Sequence, residues 1–178
     1  MKKLITTALL LVTICSFSQV KNVSLQAAGL TCSMCSNAVY KSLSKVPFVK
    51  EVKSDIKNST YNLEFKEGQS VDFDALKKAI TDAGFSVALL KADIDFNNVI
   101  VENDAHVNLG GKTFHFLNVA KQTLNGIKTV TIVDKNFVTN TAYKKFSKFT
   151  TMKCYETGVM ESCCKKDHVA TRIYHVTI

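Results

Sequence analysis

Residues 29–36, Gly29-Leu30-Thr31-Cys32-Ser33-Met34-Cys35-Ser36, join two segments whose apolar residues repeat with different periods. Before them Val23, Leu25 and Ala27 alternate with Asn22, Ser24 and Gln26, the two-residue period of a strand with one buried face. After them Cys35, Ala38, Val39, Leu43 and Val46 recur at helical spacing. The chain must therefore turn from strand into helix here, carrying two thiols on the turn. Helix-start amides and the positive end of the helix dipole favour anionic sulfur, so one or both cysteines should have a depressed pKa. Thiolates, unlike thiols, bind soft metals.

Pro47 marks the next turn, and Val52, Ser54 and Ile56 alternate with Lys53, Asp55 and Lys57 as a second strand. Asn58-Ser59 turns the chain into a third, with Tyr61, Leu63 and Phe65 on one side. Asp72 is placed to cap a helix whose stripe is Phe73, Leu76, Ile80 and Ala83 and which stops at Gly84. Phe85, Val87 and Leu89 open a last strand. Strand, helix, strand, strand, helix, strand is the order of a ferredoxin-like βαββαβ domain of the α+β class. Its helices should cover one sheet face and leave the other partly wet.

From about Val20 to Lys91 the chain resembles the heavy-metal-associated (HMA) domain family, the module of copper chaperones, of N-terminal extensions of metal-pumping ATPases and of the periplasmic mercury-binding protein. Gly29-Leu30-Thr31-Cys32-Ser33-Met34-Cys35 corresponds to the family's G-M-T-C-x-x-C, and Lys41-Ser42-Leu43-Ser44-Lys45-Val46 and Asp82-Ala83-Gly84-Phe85 to its helix end and second glycine turn. The resemblance implies that Cys32 and Cys35 hold a metal ion. Leu30 stands where the family usually has methionine and is a tolerable volume match for a residue that supports the loop by packing. Thr31 stands where zinc-handling members often carry an acidic residue, which points to softer ions.

Two thiolates three residues apart can approach linear two-coordination, which copper(I) and mercury(II) accept, whereas zinc normally takes four ligands. Copper(I) is the expected ion, with mercury(II) or another soft metal the alternative. An ion so sparsely held is open to attack by a partner's thiol, and the family uses such exchange for chaperoning. Phe85 should either shield the metal loop or serve as a core aromatic. Met34, a soft thioether between the cysteines, is expected to face solvent.

The chain opens with Met1-Lys2-Lys3, an apolar run from Leu4 to Ile14, and Ser16-Phe17-Ser18, small residues at the spacing of a cleavage site. Residues 1–18 thus read as a signal peptide for export to the periplasm or beyond. Ile14, ahead of Cys15, is bulkier than a lipid-attachment motif tolerates. No stretch approaches the roughly 18 apolar residues of a membrane span. The formal charge of +8, two units of it from Lys2 and Lys3, is spread without a basic cluster and gives no case for nucleic acid. Five cysteines remain past residue 18, an odd number that cannot all pair internally. A disulfide between Cys32 and Cys35 would close too short a loop to stabilise much.

Residues 19–91 form the first expected domain, 92–98 a polar linker and 99–178 a second, mainly β domain. Strand-like runs at 99–101, 106–109, 113–117, 129–133 and 169–178, with turns at Gly110-Gly111, Asn125-Gly126 and Asp134-Lys135-Asn136, suggest a small OB-like barrel or sandwich. Its chemistry is confined to Cys154, Cys163, Cys164 and His168, which could form a second metal site, with Lys165 and Lys166 favouring thiolates. Alternatively Cys154 bonds Cys163 or Cys164. His106, His115 and His175 lie in strand-like runs without ligand-type neighbours and read as structural or surface residues.

The expectation is an exported metallochaperone or scavenger and not an enzyme, exchanging its ion with donor or acceptor proteins such as a metal transporter, as a monomer or a metal-bridged dimer. The rival is a thiol-disulfide oxidoreductase using the same C-x-x-C pair. Against it, the chain has no Trp, its one proline is Pro47, and its element order is not that of thioredoxin.

Overall fold

The computed structural model describes residues 19–160 and 171–178. Residues 1–18, expected to be a signal peptide, and three of the expected second-site ligands, Cys163, Cys164 and His168, lie outside the described residues. The first half folds as β1 (Val20–Ala28), α1 (Ser33–Ser44), β2 (Val49–Asp55), β3 (Thr60–Phe65), α2 (Phe73–Asp82) and β4 (Ser86–Val101). The second half adds β5 (Ala105–Leu109), β6 (Lys112–Phe116), β7 (Gln122–Ile132), α3 (Asn140–Phe146), α4 (Cys154–Thr157), β8 (Val159–Met160) and β9 (Thr171–Thr177).

Among the described residues nine strands share a sheet in the order β2-β3-β1-β4-β7-β9-β6-β5, with β8 paired to β9 off that path. The first four form the antiparallel ferredoxin-like arrangement, β1 lying between β3 and β4. Both helices pack their stripes onto one face: Val39 and Leu43 of α1, and Phe73, Leu76 and Ile80 of α2, are fully buried against the strands. Asp72 caps α2 as its sequence position suggests, its carboxylate accepting the N–H groups of Asp74 and Ala75. The opposite face is polar, with Asn22, Ser24, Lys53, Asn62, Glu64, Lys91, Asp93 and Thr129 along it.

Two expectations for the second half are corrected here. Residues 92–98 are not a linker but the middle of the 16-residue β4. Ala92, Ile94 and Phe96 alternate with Asp93, Asp95 and Asn97, and the apolar set is buried. The acidic and amide residues stand on the polar face, where they look like loop composition only if the period is ignored. Nor, among the described residues, do the later strands close a barrel of their own. β7 pairs with β4 along most of its length, so the later strands extend the first sheet. Asn125-Gly126 is accordingly no hairpin turn: it sits inside β7, opposite a register shift between Phe96 and Val99.

One apolar core runs through both halves, from Leu25 and Leu63 to Phe116, Tyr174 and Val176. The added strands are covered on both faces. Phe114, Phe116, Tyr174 and Val176 join that core, while the intervening residues turn to the other side, where α3 and α4 bring Tyr143, Cys154 and Tyr155. Buried on two faces, β6 and β9 are nearly continuous in buried residues, as strands of this kind require.

Candidate metal centre

The thiol pair stands where the sequence places it. Gly29, at φ +85°, bends the chain out of β1 in the left-handed region that favours glycine, and Cys32 is the N-cap of α1. Serine, threonine, aspartate or asparagine normally fills that position; here the Cys32 sulfur does, accepting the Cys35 N–H at 3.3 Å. The two Sγ atoms lie 2.7 Å apart, Cys32 exposed and Cys35 half-buried. Hydrogen bonds from the Cys35 thiol and then the Cys35 N–H hold the Cys32 pKa below its ordinary value, working against a smaller effect of burial.

A metal between these sulfurs would push them toward twice a metal–sulfur bond length of about 2.3 Å. The exposed turn leaves Cys32 room to swing, while Cys35 is anchored on the helix. Below the turn, Leu30 and Phe85 pack against the core. Phe85 reaches the loop itself, with its Cδ1 3.9 Å from where a Cβ on Gly29 would stand. Phe85 thus packs against the core, as one expectation had it, and also touches the loop. Met34 is 82% exposed and faces solvent, as expected.

The first turn of α1 is tied to the sheet by Tyr61, whose buried hydroxyl donates to the Ser36 carbonyl at 3.1 Å. Ser36 in turn donates its N–H to the Cys32 carbonyl. Tyr61→Phe is expected to cost about 0.5–1.5 kcal/mol, the net worth of one buried hydrogen bond. Urea unfolding would show it as a lower midpoint at unchanged slope.

Of the second group of candidates, Cys154 is described. It opens α4 and is fully buried. Its sulfur lies 3.8 Å from His106 Nε2 and 3.8 Å from His115 Nδ1. The sequence-based reading that these histidines lack ligand-type neighbours is therefore corrected. A signal for half of this was present. A two-residue turn at Gly110-Gly111 puts residue 106 opposite 115, as the β5–β6 register shows. Nothing local says that Cys154, 39 residues after His115, returns to them.

Residues 24–86 match the sequence profile of the heavy-metal-associated domain. A copper-transporting ATPase of Helicobacter pylori (strain ATCC 700392 / 26695) is 36% identical over 58 residues, which make up 33% of this chain and 8% of the ATPase. A probable copper-transporting ATPase of Arabidopsis thaliana, HMA5, is 32% identical over 66 residues, 37% of this chain and 6% of that protein. This chain thus spans under a tenth of the ATPases it matches. Among solved structures, oxidized MerP from Ralstonia metallidurans CH34 is 33% identical at a TM-score of 0.35, covering 38% of this chain and 96% of that one. The CopZ metallochaperone is 24% identical at a TM-score of 0.35, covering 38% of this chain and all of its own.

Proposed function

The chain belongs, through residues 24–86, to the heavy-metal-associated domain family, and from that premise we propose that it is an exported copper(I) carrier that passes its ion on by thiol exchange. The observation that carries this reading is the Cys32–Cys35 pair at an exposed helix start, the two sulfurs side by side and Cys32 poised toward the thiolate. Two sulfurs, with no carboxylate grouped with them among the described residues, suit a soft monovalent ion better than zinc. Exposure leaves one side of a bound ion open, so an incoming thiolate from a partner can add before either cysteine leaves. The two copper-transporting ATPases that match this segment support copper as the cargo and a metal transporter as the exchange partner.

The apolar run at 4–14 supports export, and among the described residues no helix is long and apolar enough to cross a membrane. Carriage is the role we assign to this pair, whose sulfurs suit the work of ligands.

The test is competition between the reduced protein, without its leader, and a chromogenic copper(I) chelator. Cys32→Ser with Cys35→Ser is expected to weaken binding well beyond the roughly 10–100-fold that losing a residue behind a metal ligand costs. Unchanged affinity in that variant would refute the assignment. A deletion strain sensitised to mercury(II) and not to copper would redirect it to detoxification, and turnover of a disulfide substrate by the metal-free protein would redirect it to redox chemistry.

A further inference from the structure

A row of imidazoles crosses the added strands. His106 of β5 stands opposite His115 of β6, which stands opposite His175 of β9. Their ring centroids are 4.3 Å and 5.0 Å apart in that order. His115 and His175 are fully buried, and Cys154, also buried, lies against His106 and His115. Packing polar rings together in an interior costs free energy unless each nitrogen finds a partner.

The partners are arranged as they are around a metal. His115 Nε2 lies 2.9 Å from the Asp104 carboxylate, so the N–H belongs on Nε2 and the Nδ1 lone pair is turned toward the Cys154 sulfur. A carboxylate behind the far nitrogen of a ligating histidine is the usual device for fixing its tautomer. Asp104 delivers it from a turn in the left-handed region, at φ +62°, which aspartate tolerates better than most residues. His175 repeats the pattern, with Nδ1 on Asp134 at 2.5 Å and Nε2 buried without a hydrogen-bond partner among the described residues.

The spacing also fits. One ligand atom each from His106, His115 and Cys154 all lie within 4.8 Å of one another. Metal–nitrogen bonds of about 2.0–2.1 Å and metal–sulfur bonds of about 2.3 Å put nitrogen and sulfur roughly 3.6 Å apart in a tetrahedral site and roughly 3.8 Å in a trigonal one. Both observed separations are 3.8 Å.

We propose that His106, His115 and Cys154 supply three ligands of a second metal site, with the fourth position open, for a borderline divalent ion of the zinc(II) class, distinct in chemistry from the two-sulfur site at Cys32 and Cys35. Two imidazoles and one sulfur match such an ion better than copper(I). The site does not depend on what the first one carries.

The test is cobalt(II) and zinc(II) loading of the reduced chain carrying Cys32→Ser and Cys35→Ser. Cobalt should bind stoichiometrically with a thiolate-to-cobalt charge-transfer band. Cys154→Ser should abolish the band, and His106→Gln, at a half-buried position, should weaken binding by more than about tenfold. Asp104→Asn should lower affinity by about 10–100-fold while keeping the band, the mark of a residue that acts through His115. X-ray absorption of the zinc-loaded chain, which needs no change at the site, should show imidazole scattering beside sulfur. Failure to bind, a band that survives Cys154→Ser, an all-sulfur shell, or a Cys154 disulfide that persists under reduction would each overturn the proposal.

Discussion

Leu90→Ala is expected to lower the unfolding free energy by about 2–5 kcal/mol, the range for truncating a fully buried leucine. Domains of this size hold only about 5–15 kcal/mol in total. Leu90 stands in the middle of the sheet, opposite Leu25 of β1 on one side and Ile132 of β7 on the other, and none of the three is exposed. A cavity there touches both halves at once. Because β4 belongs to both and the core is continuous across it, the two halves should unfold in one transition whose midpoint shifts as a whole. Hydrogen exchange read separately over β1–β3 and over β6–β9 checks this. Two transitions, of which only one moves, would show that the halves are energetically separate.

That same strand explains what was legible in the sequence and what was not. The ferredoxin-like half could be read because its signals are local: a period change at Gly29–Ser36, a cap at Asp72 and a stop at Gly84 each declare an element within a few residues. The second half depends on pairing between distant segments. Asp93, Asp95 and Asn97 look like linker residues until β7 lies against them, and Asn125-Gly126, a strong turn signal, is absorbed as an irregularity inside β7 because β4 already supplies the neighbouring strand. Tertiary pairing overrides turn propensity there. The short helices α3 and α4 carry too few residues for a helical period to show.

The sites divide the same way. Cys32 and Cys35 are three residues apart on one turn, so spacing alone brings their sulfurs together. The His106–His115–Cys154 cluster requires a hairpin and then the return of a chain segment 39 residues further on. Histidines in strands are usually structural, and only the Cys154 sulfur changes that reading.

Asp74→Asn is expected to lower stability at neutral pH by about 1–3 kcal/mol and to flatten the acid limb of the stability profile, because Asp74 is the hub that fastens α2 to the far end of the chain. Its carboxylate takes Arg172 of β9 at 2.7 Å, Lys77 at 2.7 Å and the Tyr174 hydroxyl at 3.1 Å. Arg172 also reaches Asp134, at 2.8 Å, and lies over the Tyr174 ring. Burial by itself would raise the Asp74 pKa, but hydrogen bonds and charge from Arg172 and Lys77 outweigh it and bring the carboxyl to about 2. An unfolded aspartate titrates near 3.9. The contribution is therefore complete above pH ~4 and drains away as pH falls toward 2, where the folded carboxyl takes up its proton. The estimate stays below the cost of breaking a fully buried pair because the side chains of Asp74 and Arg172 remain 34% and 30% exposed. Asp72 and Asp134 are also acidic and close by, so the informative quantity is the difference between parent and variant. Urea midpoints from pH 5 to 2.5 should converge as pH falls; curves that stay parallel would mean that the Asp74 charge does not hold the two halves together.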